Sequence, residues 1–177
     1  MKGVSQMISK TRLIVSMAAT VLILGTCCTA FALEWGTGEL DTEKLAINFA
    51  HQVNKSGYQL VATEELKVWL DNKEPMLVVD TMPFEQSYKK QHIPGALQIE
   101  FPVEEMTQFD DATKQGLEKL LGPDKTRKIV FYCGFTKCGR SHNAAVLAVK
   151  LGYTNVWRQP GGIKAWLEAG YPVEKVQ

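Results

Sequence analysis

Two short apolar runs, Met76-Leu77-Val78-Val79-Asp80 and Lys128-Ile129-Val130-Phe131-Tyr132-Cys133, constrain this chain more than any other feature. A strand with one wet face alternates polar and apolar residues. A continuous apolar run of strand length must be covered on both faces. The segments between the runs can supply that cover. Residues 41–53 place Leu45, Phe49 and Val53 on one helical face, with Asp41 as the expected cap. Residues 63–72 read as a short helix capped by Thr63, with Glu64 and Glu65 in its first turn. Helices are also expected at 83–91 (opened by Pro83), in the stretch Pro102-Val103-Glu104-Glu105-Met106, at 111–122 (stopped by Gly122-Pro123), at 141–152 and at 161–170. Further strands are expected at 58–62, within 92–100 and at 154–159. Strands alternating with helices of this length imply an α/β fold: a central parallel sheet flanked by helices on both faces. In such sheets ligands lie beyond the carboxyl ends of the strands.

The amino terminus does not belong to that pattern. Lys2, Lys10 and Arg12 precede an apolar core at 13–25 and the small-residue pattern Ala30-Phe31-Ala32. This is the layout of a secretory signal, with cleavage expected after Ala32, and its core is short against the ~20 residues of a membrane span. An uncleaved anchor, or lipid attachment at Cys27 after Leu24-Gly25-Thr26, are the alternatives. The expected organisation is a signal over 1–32, a helical extension over 33–57 and the α/β domain over 58–177, in a periplasmic or secreted protein. Contact with the membrane is then confined to the signal segment before cleavage. Removing it lowers the 20 basic residues to 17 against 19 acidic, a net charge of −2. Neither that value nor the full-length +1 suits a nucleic-acid partner. Cleavage also removes Cys27 and Cys28, so Cys133 and Cys138 remain and the domain has to stand on its core rather than on a disulfide scaffold.

Both remaining cysteines fall where topology puts a site. Cys133 ends a buried strand, and Cys133-Gly134-Phe135-Thr136-Lys137-Cys138-Gly139-Arg140 must turn that strand into a helix. Gly134 and Gly139 allow a turn that aims successive N–H groups inward as an anion nest. The following helix adds the positive end of its dipole, and Arg140 and Lys137 add full charge. A thiol at the base of such a nest should be depressed in pKa, which makes Cys133 a candidate nucleophile. The plainer readings are a core cysteine and a solvated Arg140, although a cation in a first helical turn opposes the dipole unless it faces an anion.

These residues resemble the rhodanese-like domain family. The carboxyl half matches in order: a strand ending in Cys133, a loop, Arg140-Ser141, Ala144-Ala145, Gly152, Val156 and Gly161-Gly162-Ile163-Lys164-Ala165-Trp166. The amino half matches through Leu77-Val78-Val79-Asp80 and His92-Ile93-Pro94-Gly95-Ala96, and the resemblance covers roughly residues 58–173. It implies a sulfurtransferase in which Cys133 takes the outer sulfur of a donor such as thiosulfate as a persulfide and passes it to a thiophilic acceptor. The implied partners are a small sulfur-containing anion and a thiol acceptor, with no metal and no organic cofactor. It also implies that Arg140 and the loop residues Gly134, Phe135, Thr136, Lys137, Cys138 and Gly139 hold the anionic sulfur.

Two departures bear on that reading. The family loop has four residues between Cys and Arg, and this one has six, which suggests a wider cradle. Rhodanese-fold phosphatases carry a loop one residue longer than the sulfurtransferases, so phosphatase or oxyanion-reductase chemistry using Cys133 with Cys138 stands as an alternative, as does a non-catalytic binding module. The family's Asp-x-Arg reads Asp80-Thr81-Met82, without its arginine. Cys138 lies in the inserted stretch and can reach Cys133 as a resolving or disulfide-forming thiol, or stand by as a bystander. His142 reads as a solvated residue, His92 as a support of its turn, Asp80 as a structural carboxylate and Trp166 as core. Trp157 and Arg158 read as rim residues of the cleft.

Overall fold

The computed structural model describes residues 38–176. The anticipated signal over 1–32 and the alternative anchor at Cys27 lie outside them. Helix α1 spans Glu39–Ser56. It starts ahead of Asp41, which is therefore not its cap; in its first turn Thr42 donates from both N and Oγ1 to the Gly38 carbonyl. The chain from Leu45 onward forms one compact unit. Within it Leu45, Phe49, Gln52, Val53 and Ser56 are half-buried while their neighbours on α1 are exposed, the stripe that the helical spacing anticipates.

The order after α1 is β1 (Gln59–Leu60), α2 (Thr63–Asp71), β2 (Met76–Asp80), a single π-helical turn (Phe84–Tyr88), β3 (Leu97–Gln98), α3 (Asp111–Leu121), β4 (Lys128–Tyr132), α4 (Arg140–Lys150), β5 (Val156–Arg158) and α5 (Gly162–Glu168). The five strands pair in parallel, in the order β1-β5-β4-β2-β3. Successive residues of the two apolar runs point to opposite faces. Val79, Ile129 and Phe131 join Leu117, Leu121, Ala144, Ala145, Leu147 and Ala148 under α3 and α4. Val78, Val130 and Tyr132 join Leu66, Ile93, Ile163 and Trp166 under α2 and α5. This is the two-sided cover that unalternating strands require.

Some local expectations fail for identifiable reasons. Residues 83–91 form one π-helical turn followed by a tight turn at 89–90 instead of a longer helix, and the chain then brings His92 against Glu174 in an isolated backbone bridge. Residues 102–106 form no helix; Asn143 ties them down, its Nδ2 donating to the Pro102 and Glu104 carbonyls and its Oδ1 accepting from the Met106 N–H. Those bonds take the backbone groups that a helix would have used. Thr63 is the first residue of α2, not its cap, and its Oγ1 accepts from Gln159 Nε2 at 2.6 Å.

Register decides what meets at the carboxyl end of the sheet. Asp80 pairs with Tyr132 across β2–β4, and Phe131 pairs with Arg158 across β4–β5. From β2 the chain runs outward to β3; from β4 it runs outward the other way to β5. The switch point lies between β2 and β4, so Asp80, Cys133 and Arg158 converge there. The amino end of α5 closes the same edge, with the Ile163 N–H donating to the Cys133 carbonyl at 2.8 Å and the Lys164 N–H to the Gly134 carbonyl at 3.0 Å. That approach depends on Gly162. Its φ is +66°, and an added Cβ would meet the Cys133 carbonyl oxygen and come within 2.6 Å of the Gly134 carbonyl carbon. Gly162→Ala should therefore destabilise the domain by about 2–4 kcal/mol, read as a lowered urea midpoint. A midpoint equal to that of the wild type would show that α5 is not wedged against the cysteine loop.

Candidate active site: a thiol pair at the carboxyl end of the sheet

The loop expected to be a wide cradle is closed on itself. The Cys138 N–H donates to the Phe135 carbonyl at 2.9 Å, so the inserted residues form a tight turn that returns Cys138 to Cys133. Phe135 and Lys137 are exposed at the tip and Thr136 is half-buried, while Cys133, Gly134 and Cys138 are buried and Gly139 is half-buried. Gly139 permits the close packing of this loop on the 101–106 segment, since a Cβ there would collide with the Val103 carbonyl oxygen. Both thiols are free.

The hydrogen bonds divide unequally between the two sulfurs. Cys133 Sγ lies 3.2 Å from Ser141 Oγ, and its thiol donates to the Cys138 carbonyl at 3.4 Å. The turn sets the two thiols side by side, so that each sulfur feels the charge of the other. The neighbouring Cys133 thiol, the backbone N–H groups of Arg140 and Gly134, and the Arg140 charge hold the Cys138 thiol below its usual range in spite of its burial. The neighbouring Cys138 sulfur and burial push the Cys133 thiol well up. The expectation of a depressed Cys133 is thus redirected. The extra residues bring a second sulfur into the nest, where the Gly134 and Arg140 amides favour its charge. The pair as a whole holds one proton and one negative charge readily.

Arg140 opens α4, but its guanidinium turns outward from the nest. Its Nη1 bonds the Phe101 carbonyl and lies 3.4 Å from Glu100 Oε1. Its contribution to the thiols comes through its backbone N–H and its field. A different arginine lies beneath the loop. Arg158, expected at the rim, is 2% exposed. Its Nε donates to Ser141 Oγ at 2.9 Å and its Nη2 to the Cys138 carbonyl at 3.0 Å. Because Ser141 Oγ accepts from Arg158, the serine proton is free to point at the Cys133 sulfur. His142, expected in solvent, is buried with Nδ1 2.8 Å from the Tyr58 hydroxyl. Burial and the Arg158 charge bring it down to about 4, so it stays neutral. His92 supports its turn as anticipated, with Nδ1 2.8 Å from the Tyr88 carbonyl and its ring stacked on Tyr88.

On the β2 side, Asp80 is fully buried. Its Oδ1 accepts from the Met82 N–H at 2.8 Å, and its Oδ2 is the buried side-chain polar atom left without a hydrogen bond among the described residues. The Tyr132 hydroxyl eases its charge without reaching hydrogen-bonding geometry with Oδ2. Met82, standing where the family arginine would be, lays its thioether over Gly134: a Cβ there would lie 3.3 Å from its Sδ. With no cation from Met82, burial pushes the Asp80 carboxyl up from 3.8 to about 6. A carboxyl raised in the folded state binds its proton more tightly there than in the unfolded chain. Its contribution is intact below the unfolded value and is lost as pH rises through the folded one. The interval corresponds to roughly 3 kcal/mol. Asp80→Asn should flatten the decline in stability between about pH 4 and pH 6 and leave the protein more stable than wild type at pH 7. Urea unfolding across that range measures it, and parallel wild-type and variant curves would contradict the assignment.

Comparison with known proteins gives one family. The model of the rhodanese-like domain matches residues 62–169. The chain is 26% identical over 120 residues to the thiosulfate:glutathione sulfurtransferase of Saccharomyces cerevisiae, covering 66% of this chain and 84% of that one. It is 29% identical over 141 residues to the chloroplastic rhodanese-like domain-containing protein 14 of Arabidopsis thaliana, covering 61% of this chain and 62% of that one, so it spans less than two thirds of that relative. Among solved structures, the BH2092 protein of Bacillus halodurans superposes with a TM-score of 0.54 at 26% identity, covering 74% of this chain and 86% of that one.

Proposed function

Because this chain belongs to the rhodanese-like domain family, we propose that it is a sulfurtransferase whose persulfide forms on Cys133 and whose proton is managed by Cys138. The observation that carries this reading is the tight turn that returns the buried Cys138 to Cys133, whose sulfur lies 3.4 Å from the Cys138 carbonyl oxygen and 3.2 Å from Ser141 Oγ. A proton passed from the Cys133 thiol to the Cys138 thiolate leaves a thiolate on Cys133. That thiolate attacks the outer sulfur of thiosulfate; the new S–S bond forms as the old one breaks, and sulfite departs with the electron pair. An acceptor thiolate then attacks the terminal sulfur of the Cys133 persulfide, forming an acceptor persulfide and regenerating the Cys133 thiolate. The yeast relative is named for thiosulfate and glutathione, which makes this donor and acceptor class the first to try.

Cys133 is fully buried, so donor entry requires the exposed tip at Phe135 and Lys137 to lift. The proximity of Cys138 also supports a second outcome. Attack by the Cys138 thiolate on the Cys133 persulfide would expel hydrosulfide and leave a Cys133–Cys138 disulfide. In the exported setting that residues 1–32 suggest, this disulfide would switch off the nucleophile.

Intact mass after thiosulfate treatment tests the reading. Wild type and Cys138→Ser should each gain one sulfur atom that cyanide removes, and Cys133→Ser should gain none. Wild type left without an acceptor thiol should convert in part to a species lacking two hydrogens, and Cys138→Ser should not. Sulfur gain by Cys133→Ser would contradict the assignment of the nucleophile.

A further inference from the structure

Arg158 is a buried cation, and among the described residues no carboxylate pairs with it. Each of its hydrogen-bond acceptors is neutral: Gln52 Oε1 at 2.8 Å, the Tyr58 hydroxyl at 3.5 Å, Ser141 Oγ at 2.9 Å and the Cys138 carbonyl at 3.0 Å. The Phe49 ring covers the guanidinium at 4.9 Å. A buried guanidinium satisfied only by neutral groups is costly unless an anion arrives. Burial opposes ionisation of the Tyr58 phenol, and the next group that can become one is the thiol pair, one hydroxyl away, since Ser141 Oγ sits between Arg158 Nε and Cys133 Sγ. Phe49, Gln52 and Tyr58, which hold the guanidinium from the side away from the loop, all lie outside the matched residues 62–169. Helix α1 is therefore an addition to the family domain that reaches its active site.

We infer that Arg158 is the counter-cation of the thiol pair, aimed by α1: Phe49 and Gln52 hold the guanidinium so that its other edge, through Ser141 and the Cys138 carbonyl, retains one negative charge on the two sulfurs. The same placement serves the persulfide anion, which carries that charge after sulfur uptake. Arg158 is thus a positioning residue that acts through Ser141. The other charged or titratable groups facing this assembly are Asp80 and Arg140 around Cys138, and Glu105 and Lys55 around Tyr58 and His142. None of them touches the Cys133 sulfur or Ser141.

The inference concerns the pair on which the proposed transfer rests, but its test uses no sulfur donor, so the two can fail separately. The pH dependence of alkylation of the reduced protein by iodoacetamide reports the first thiol ionisation. Gln52→Glu keeps the size of the side chain and supplies Arg158 with a competing carboxylate. The thiol midpoint should then rise by about one pH unit, a roughly tenfold slower alkylation below it. Ser56→Glu, one turn along α1, is the control for a general field effect and should leave the midpoint in place. Arg158→Met should raise the midpoint at least as far as Gln52→Glu, and Arg158→Lys should restore part of the difference. Should Arg158→Met not fold, Gln52→Glu decides. An unchanged midpoint in folded Gln52→Glu, or an equal rise in Ser56→Glu, overturns the inference.

Discussion

The buried guanidinium of Arg158 joins parts of the chain that are far apart in sequence. It receives α1 through Gln52 and Phe49, the residue before β1 through Tyr58, the cysteine loop through the Cys138 carbonyl and the first turn of α4 through Ser141. Its position follows from the β4–β5 register, which sets Arg158 beside Phe131, two residues before Cys133. A frame-shift of one residue there would reverse the side-chain directions on β5 and take the guanidinium out of the loop. Strand pairing therefore places a single side chain on which the added helix and the closed loop both converge.

Around the thiols the fold sets unlike environments on two sides. On the β5 side there is a fixed cation whose hydrogen-bond acceptors are all neutral. On the β2 side there is Asp80, deprived of the family arginine and held near protonation by burial. The loop amides of Gly134 and Arg140 lie between them and favour anionic sulfur. Near neutral pH a second negative charge in this space would be opposed by the first and by any charge on Asp80. One negative charge is favoured by the amides and by Arg158. A persulfide or thiolate monoanion meets that condition.

The parallel sheet was legible because Met76–Asp80 and Lys128–Tyr132 lack alternation, and the stripe on α1 because its spacing is regular. The site's location followed from Cys133 ending a strand. Its internal arrangement did not follow. The six-residue spacing suggested a wide nest, whereas the Cys138 N–H to Phe135 carbonyl bond folds the extra length into a turn and delivers a second thiol. Arg140 drew attention as the charge in the loop, yet Glu100 and the Phe101 carbonyl claim its guanidinium. Arg158 had one available signal, a full charge inside a short strand beside the switch point. Which residues would satisfy it depended on Gln52 and Tyr58, about a hundred residues earlier, and local pattern carries no information about such partners. The burial of His142 is hidden from the local pattern for the same reason: its partner, Tyr58, is remote in sequence.

The most direct test of the account is to follow the transferred sulfur to its residue. Thiosulfate labelled with heavy sulfur at the outer position is mixed briefly with reduced protein, and the thiols are then alkylated. Trypsin cuts after Lys137 and so separates the Cys133 peptide, residues 129–137, from the Cys138 peptide, residues 138–140. The account predicts the label on the Cys133 peptide, released when an acceptor thiol is added before alkylation. Label on the Cys138 peptide at the earliest times, or on neither peptide, would contradict it.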